Sequence, residues 1–250
     1  MGDTNENKGV PGLESIVPEP RSHFLDVGKL PRLPTGRWVG AGLGKGGNGK
    51  STSLIQLAKF GSVLGHSVLL IDADYQQRSL SLWRNVRIRN DIAVEACPPA
   101  AVEDIVHRAR ARGFDLILID TAAALDQHSP TIARLANFAL LFTRVGKFDV
   151  GVTVKRARWL RAQGCHFGIV INGAPALRMG AQSPLVVAAR QELKPLGGLW
   201  QGQITYRHSI LTAVASGSTV FEMDPSDRAT HEYANLWRGL VAVLQKQGGK

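Results

Sequence analysis

From Trp38 onward the chain alternates short apolar runs with amphipathic stretches, and that alternation predicts most of its elements. RWVGAGL, SVLLIDAD, FDLILIDTA, FALLFTR and FGIVING read as strands, with IAVEA and LWQGQI as shorter ones. Between them, KSTSLIQLAKFGSVLG, AAVEDIVHRARARG, SPTIARLAN, VGVTVKRARWLRAQG and SPLVVAARQELKPLG carry helical patterning. Near-continuous apolar strands separated by helices indicate an α/β fold: a doubly wound, mostly parallel sheet covered by helices on both faces. In the closing stretch, Trp237, Leu240, Val241 and Leu244 follow the i, i+3, i+4, i+7 spacing of a core-facing helix. Residues 1–36 show Gly, Pro and charge without a period. They read as a flexible N-terminal arm before a single domain over 37–250. The apolar islands Phe24-Leu25 and Leu30 would dock on the body or on a partner.

Composition narrows the class. Two cysteines are too few for a disulfide framework and suit a reduced, cytoplasmic protein. No apolar run reaches the roughly 18 residues of a membrane span, and the polar start MGDTNENKGV lacks a signal-peptide core. The formal charge is +10, and the first 38 residues carry as many acids as bases. The excess therefore sits on the folded part, where it favours phosphate-rich partners, nucleic acid first.

The chemistry concentrates in GLGKGGNGKSTS. Gly44-x-x-x-x-Gly49-Lys50-Ser51 fits a phosphate loop placed after a strand and opening a helix. Glycines let backbone N–H groups turn inward around phosphate oxygens, and the helix N-terminus adds positive potential. Lys50 would reach the β- and γ-phosphates, and the Ser51 hydroxyl would ligate Mg²⁺. Asp72 and Asp74, two residues apart past a strand, point to one side, and Asp120 ends another apolar strand where ligands bind open α/β sheets.

A second lysine, Lys45, stands five residues before Lys50. KGGNGKST resembles the deviant phosphate-loop box of the ParA/MinD family of ATPases. The resemblance extends over roughly residues 37–245. It implies ATP and Mg²⁺ as ligands, with Gly44, Lys45, Gly46, Gly47, Asn48, Gly49, Lys50, Ser51 and Thr52 around the phosphates. It implies that Lys45 crosses into the site of a second subunit, where it stabilises charge on the transferring phosphoryl group as an arginine finger does and couples ATP binding to homodimerisation. DADYQQ resembles the family's second box with Tyr75 in place of proline. By that resemblance Asp74 orients the attacking water and Asp72 supports the Mg²⁺ shell, with Asp120 holding a metal-bound water. Ala122 and Ala123 stand where the family usually has two prolines. Asn172 matches an asparagine that hydrogen-bonds the adenine, although Asn before Gly also makes a turn unaided.

ParA-type members bind DNA without sequence preference, whereas MinD-type members bind membrane through a C-terminal amphipathic helix. The last residues, AVLQKQGGK, lack an interfacial apolar face, which favours DNA and no membrane. Basic residues cluster at Lys155, Arg156, Arg158 and Arg161, then at Arg178, Arg190, Lys194 and Arg207. Lys155, Arg158, Arg178 and especially Arg207 are the expected DNA contacts. The expected function is a nucleoid-associated bacterial ATPase that positions a plasmid, stimulated by a ParB-like or other adaptor. The alternatives are a relative carrying conjugation machinery or an organelle, a non-hydrolysing scaffold, a MinD-like membrane ATPase, and an iron–sulfur reductase-like relative.

Overall fold

The computed structural model describes residues 25–248. Seven strands form one parallel sheet: β1 (Trp38–Gly44), β2 (Val68–Asp72), β3 (Ala93–Ala96), β4 (Leu116–Asp120), β5 (Phe138–Thr143), β6 (Phe167–Ala174) and β7 (Ile204–Thr205), in spatial order β3-β2-β4-β1-β5-β6-β7. Every residue of β1, β2, β4 and β5 is buried, as two-faced coverage requires. The connecting helices are α1 (Lys50–Val63), α2 (Ser79–Val86), α3 (Val102–Ala111), α4 (Ser129–Leu135), α5 (Lys147–Ala162), α6 (Pro184–Leu193), α7 (His208–Ala215), α8 (Val220–Met223) and α9 (Arg228–Gly248). One apolar layer joins the sheet to α1, α2, α7, α8 and α9, and the other joins it to α3, α4, α5 and α6. The expected strands are present except that LWQGQI forms only a bridge at Leu199 and the first residue of β7 at Ile204. Helix α2 was not anticipated, because only Leu80 and Trp83 of its eight residues are buried and they give too short a period to read.

The arm boundary at residue 36 needs correction. Leu25, Leu30 and Leu33 are buried in the same layer as α1 and α9. The Leu33 N–H donates to His66 Nε2 (3.1 Å), and Trp237 Nε1–H donates to the Pro31 carbonyl (2.9 Å). Residues 25–37 are therefore a strap fixed to the body by apolar anchors and main-chain bonds. Residues 1–24, the remainder of the expected arm, lie outside the described residues. Helix α9 buries Tyr233, Leu236, Trp237, Leu240, Val241 and Leu244, so its apolar stripe is spent on the core as its spacing indicated. No described helix is long and apolar enough to cross a membrane.

An ionic cluster, buried except at Asp91, ties this layer together. Lys59 Nζ on α1 meets Asp91 Oδ2 (2.7 Å) and Glu222 Oε1 on α8 (2.9 Å). Arg87, just past α2, reaches Asp91 Oδ1 (2.6 Å) and Glu222 Oε1 (2.8 Å). Burial alone would raise both carboxyls. Hydrogen bonds from Lys59 and Arg87 outweigh it and hold Asp91 and Glu222 at about 2.

Candidate nucleotide site

The chain reverses its winding direction at β1, which lies between β4 and β5. A crevice at the carboxyl ends of the strands is the usual consequence of such a switch point. Here it is a cavity of about 860 Å³ lined by the phosphate loop, the ends of β2 and β4, and the turn before α7. Two glycines make the loop possible. Gly44 has φ 155° and a Cβ there would lie 2.5 Å from the Phe142 carbonyl oxygen; Gly49 has φ 76° and a Cβ there would lie 2.3 Å from Asn172 Nδ2. Gly49 caps α1 without a side-chain bond, leaving the first N–H groups of the helix for an anion. Lys50 is buried at the base of the same turn, and Ser51 and Thr52 follow on the helix.

The acids gather at this edge. Asp72 and Asp120 are register partners on adjacent strands. Asp72 Oδ2 accepts from the Ser81 N–H (2.8 Å) and hydroxyl (2.7 Å), which fixes the start of α2, while Oδ1 has no partner. Asp74 Oδ1 accepts from the Gln77 N–H (3.2 Å) and faces the cavity. Asp120 is fully buried, and neither carboxylate oxygen has a well-formed hydrogen bond. Burial pushes its carboxyl up to about 7; the nearby Ser51 hydroxyl and Lys50 charge oppose the rise, and Asp72 and Asp74 add to it. The Ser51 hydroxyl approaches Asp120 without completing a well-aligned bond.

Orphaned carboxylate oxygens beside a hydroxyl are hard donors and fit Mg²⁺. No described group of three His, Cys, Asp or Glu could hold a metal alone. Such a set would suit an ion shared with phosphates, with Ser51, Asp72 and Asp120 as the residues that would hold it.

Lys45 does not line this cavity, whose loop contribution begins at Gly46. Its Nζ instead lies 3.5 Å from Asp149 Oδ1 at the start of α5, with about half the side chain exposed. The phosphate loop, an outward lysine beside it and three acids at one sheet edge now stand together. The VirC1 protein family model matches residues 39–162, which run from the start of β1 to the end of α5. The chain is similar to the VirC1 family over that stretch, just under half of its length, and its fold is that of the ParA/MinD P-loop proteins.

Among curated relatives, protein virC1 of Rhizobium rhizogenes is 29% identical over 122 residues, covering 46% of this chain and 52% of that protein. The signal recognition particle receptor FtsY of Mycoplasma mycoides subsp. mycoides is 30% identical over 115 residues, covering 42% of this chain and 29% of that protein. The chain thus spans about half the length of virC1 and less of FtsY. Among solved structures, the septum site-determining protein MinD of Pyrococcus horikoshii, complexed with Mg-ADP, superposes with a TM-score of 0.66 at 19% identity, covering 80% of this chain and 94% of that one. A ParA family ATPase of Chlorobium tepidum TLS gives 0.60 at 17%, covering 82% and 98%. At these identities the superpositions establish the ParA/MinD fold.

The fold redistributes several residues singled out from the sequence. Asn172 reaches the cavity, but its Nδ2 donates to the Asn48 carbonyl (2.7 Å), so it props the phosphate loop. Arg207 lines the cavity and is paired with Glu232 Oε1 (2.7 Å). Lys155, Arg158 and Arg178 are exposed. Arg156, Arg161 and Arg190 turn inward to the main-chain carbonyls of Ala123, Leu196 and Gly202. Cys97 and Cys165 are both buried, and burial pushes their thiols up to about 11, which disfavours the thiolate an iron–sulfur cluster needs. The sequence reading missed Arg144, which leaves β5 and enters the cavity beside Gly173. Its place at the carboxyl end of a central strand is the signal that marks it.

Proposed function

We propose that this chain is a ParA/MinD-type, Mg-ATP-dependent ATPase that dimerises on ATP, binds DNA without sequence preference and positions a cargo. The observation that carries this reading is the direction of Lys45: beside the phosphate loop, yet turned away from its own cavity and held by Asp149. Lys45 is about half exposed in this 3.5 Å pair, and a surface ion pair contributes only about 0–1 kcal/mol, so it is easily exchanged for a phosphate presented by a second copy.

In this reading the N–H groups of Gly46–Lys50 and the Lys50 ammonium hold the β- and γ-phosphates. Ser51, Asp72 and Asp120 would hold Mg²⁺, which would supply positive charge to neutralise the phosphates. Asp74 accepts a hydrogen bond from the water that attacks the γ-phosphorus, giving ADP and phosphate. Lys45 of each copy stabilises charge on the transferring group of the other. Asn172 shapes the phosphate loop through Asn48, and Arg144 lines the cavity beside Gly173. For DNA, the outward Lys155, Arg158 and Arg178 are the better candidates, and Arg207 belongs to the nucleotide side. A ParB-like or other adaptor that stimulates turnover, and a nucleoid-associated location, complete the proposal.

Sizing and DNA retention of wild type and Lys45→Ala with ATP, ADP or no nucleotide provide the test. The expected result is an ATP-specific dimer that retains DNA, with both properties lost in the variant. A wild-type protein that stays monomeric on ATP defeats the reading.

A further inference from the structure

After Thr121 the chain leaves β4 and crosses the cavity mouth to α4 without regular structure. Its two ends are fixed. Thr121 Oγ1 donates to the Gly42 carbonyl (2.8 Å), and Asp126 Oδ1 accepts from the Ser129 N–H and hydroxyl (both 3.0 Å). Between them, Ala122 to Leu125 make one hydrogen bond among the described residues: the Arg156 guanidinium donates through Nη2 to the Ala123 carbonyl. A Cβ on Gly46 would lie 3.6 Å from the Ala123 methyl, so this stretch leans on the phosphate loop next to Lys45.

Arg156 is an expensive residue to keep at this position. It is 6% exposed, and it sits on the inward stripe of α5 with Val150, Thr153, Ala157 and Leu160. No carboxylate pairs with it among the described residues, and Nη1 has no partner. Burial lowers its pKa with nothing opposing. A buried charge without a counter-charge is disfavoured by several kcal/mol, and a methionine of similar volume would avoid that cost. What the guanidinium supplies and methionine cannot is a rigid donor fork aimed at one carbonyl.

We propose that Arg156 is a positioning residue for nucleotide turnover: it holds Ala122–Ala124 against the phosphate loop and so sets where the main chain after Asp120 meets the terminal phosphate. This rests on the ATPase reading. The two alanines have no side-chain bonds of their own, so the grip from α5 replaces what the local sequence lacks. The open Nη1 donor can take a second carbonyl of the same stretch when it shifts on ligand binding.

Limited proteolysis within residues 122–126 of the nucleotide-free protein, by a protease of broad specificity, tests the contact. It is compared for wild type, Arg156→Lys, Arg156→Gln and Arg156→Ala, with ATP turnover measured on the same samples. Gln keeps a donor without the buried charge, so it remains folded if Ala does not. Cleavage there is expected to quicken about 10-fold or more in the Gln and Ala variants, with hydrogen exchange of the α5 amides unchanged and Lys closer to wild type. Turnover should fall about 10-fold or more in kcat, with the apparent KM for ATP within about two-fold. Unchanged cleavage at 122–126 overturns the proposal, and so does loosening spread over α5 and the sheet. Should wild type lack ATP turnover, the ATPase reading fails while the cleavage result still decides the role of Arg156 in holding the segment.

Discussion

Asn172 and Asn48 form a relay that no local pattern contains. Asn172 Nδ2 donates to the Asn48 carbonyl, and Asn48 Nδ2 donates to the Phe142 carbonyl (3.2 Å), so β5 and β6 both brace the phosphate loop. Asn172→Ala leaves the Asn48 carbonyl buried and unpaired, a loss of about 1–3 kcal/mol. The expected outcome is a lower Tm and a roughly 10-fold weaker affinity for a fluorescent ATP analogue; unchanged affinity would show that the prop is dispensable. The loop itself was legible because its glycines and lysine sit at fixed offsets within eight residues. The role of Asn172 was not, because its partner lies 124 positions away. The direction of Arg156 was legible in principle, since it shares the phase of Val150, Thr153 and Leu160. The number of neighbouring charges concealed it by suggesting a uniformly solvated face.

At the scale of elements, α5 combines three tasks on three faces. Its first turn holds Lys45 through Asp149, its inward stripe grips Ala123 through Arg156, and its outer face presents Lys155 and Arg158. The outer pair predicts DNA behaviour. Lys155→Ala with Arg158→Ala should weaken binding to any duplex alike and flatten the dependence of log K on log salt by about 1–2 units, since each phosphate contact contributes about 0.9. Titration at several salt concentrations measures this, and an unchanged slope removes α5 from the interface. Apolar runs were sufficient to find the strands because parallel strands covered on both faces leave no polar positions to blur them. They were insufficient for α2, whose position depends on Asp72 capping it through Ser81 and on the indole N–H of Trp83 meeting the Ser218 carbonyl (3.1 Å).

Across the whole molecule, the Lys59–Arg87–Asp91–Glu222 cluster joins the nucleotide helix α1 to the closing segment. Asp91 and Glu222 have folded pKa values of about 2, against roughly 4 in an unfolded chain. Their contribution is therefore complete above the unfolded value and is lost as pH falls through about 2. Glu222→Gln should cost about 1–3 kcal/mol at pH 7, because Lys59 and Arg87 lose one charged partner and keep Asp91. The gap to wild type should narrow below about pH 4, where the unfolded carboxyl begins to take up its proton. Denaturation midpoints at pH 7 and pH 3 check both statements. The strap, like this cluster, was hidden from the sequence: Leu25, Leu30 and Leu33 are too widely spaced to set a period and acquire meaning only against α1 and α9. The brace from Asn172 also bears on synthesis. A chain emerging from the ribosome displays its phosphate loop early, but cannot shape it until β6 has been made and threaded beside β5. Nascent intermediates arrested before that point should remain blind to nucleotide.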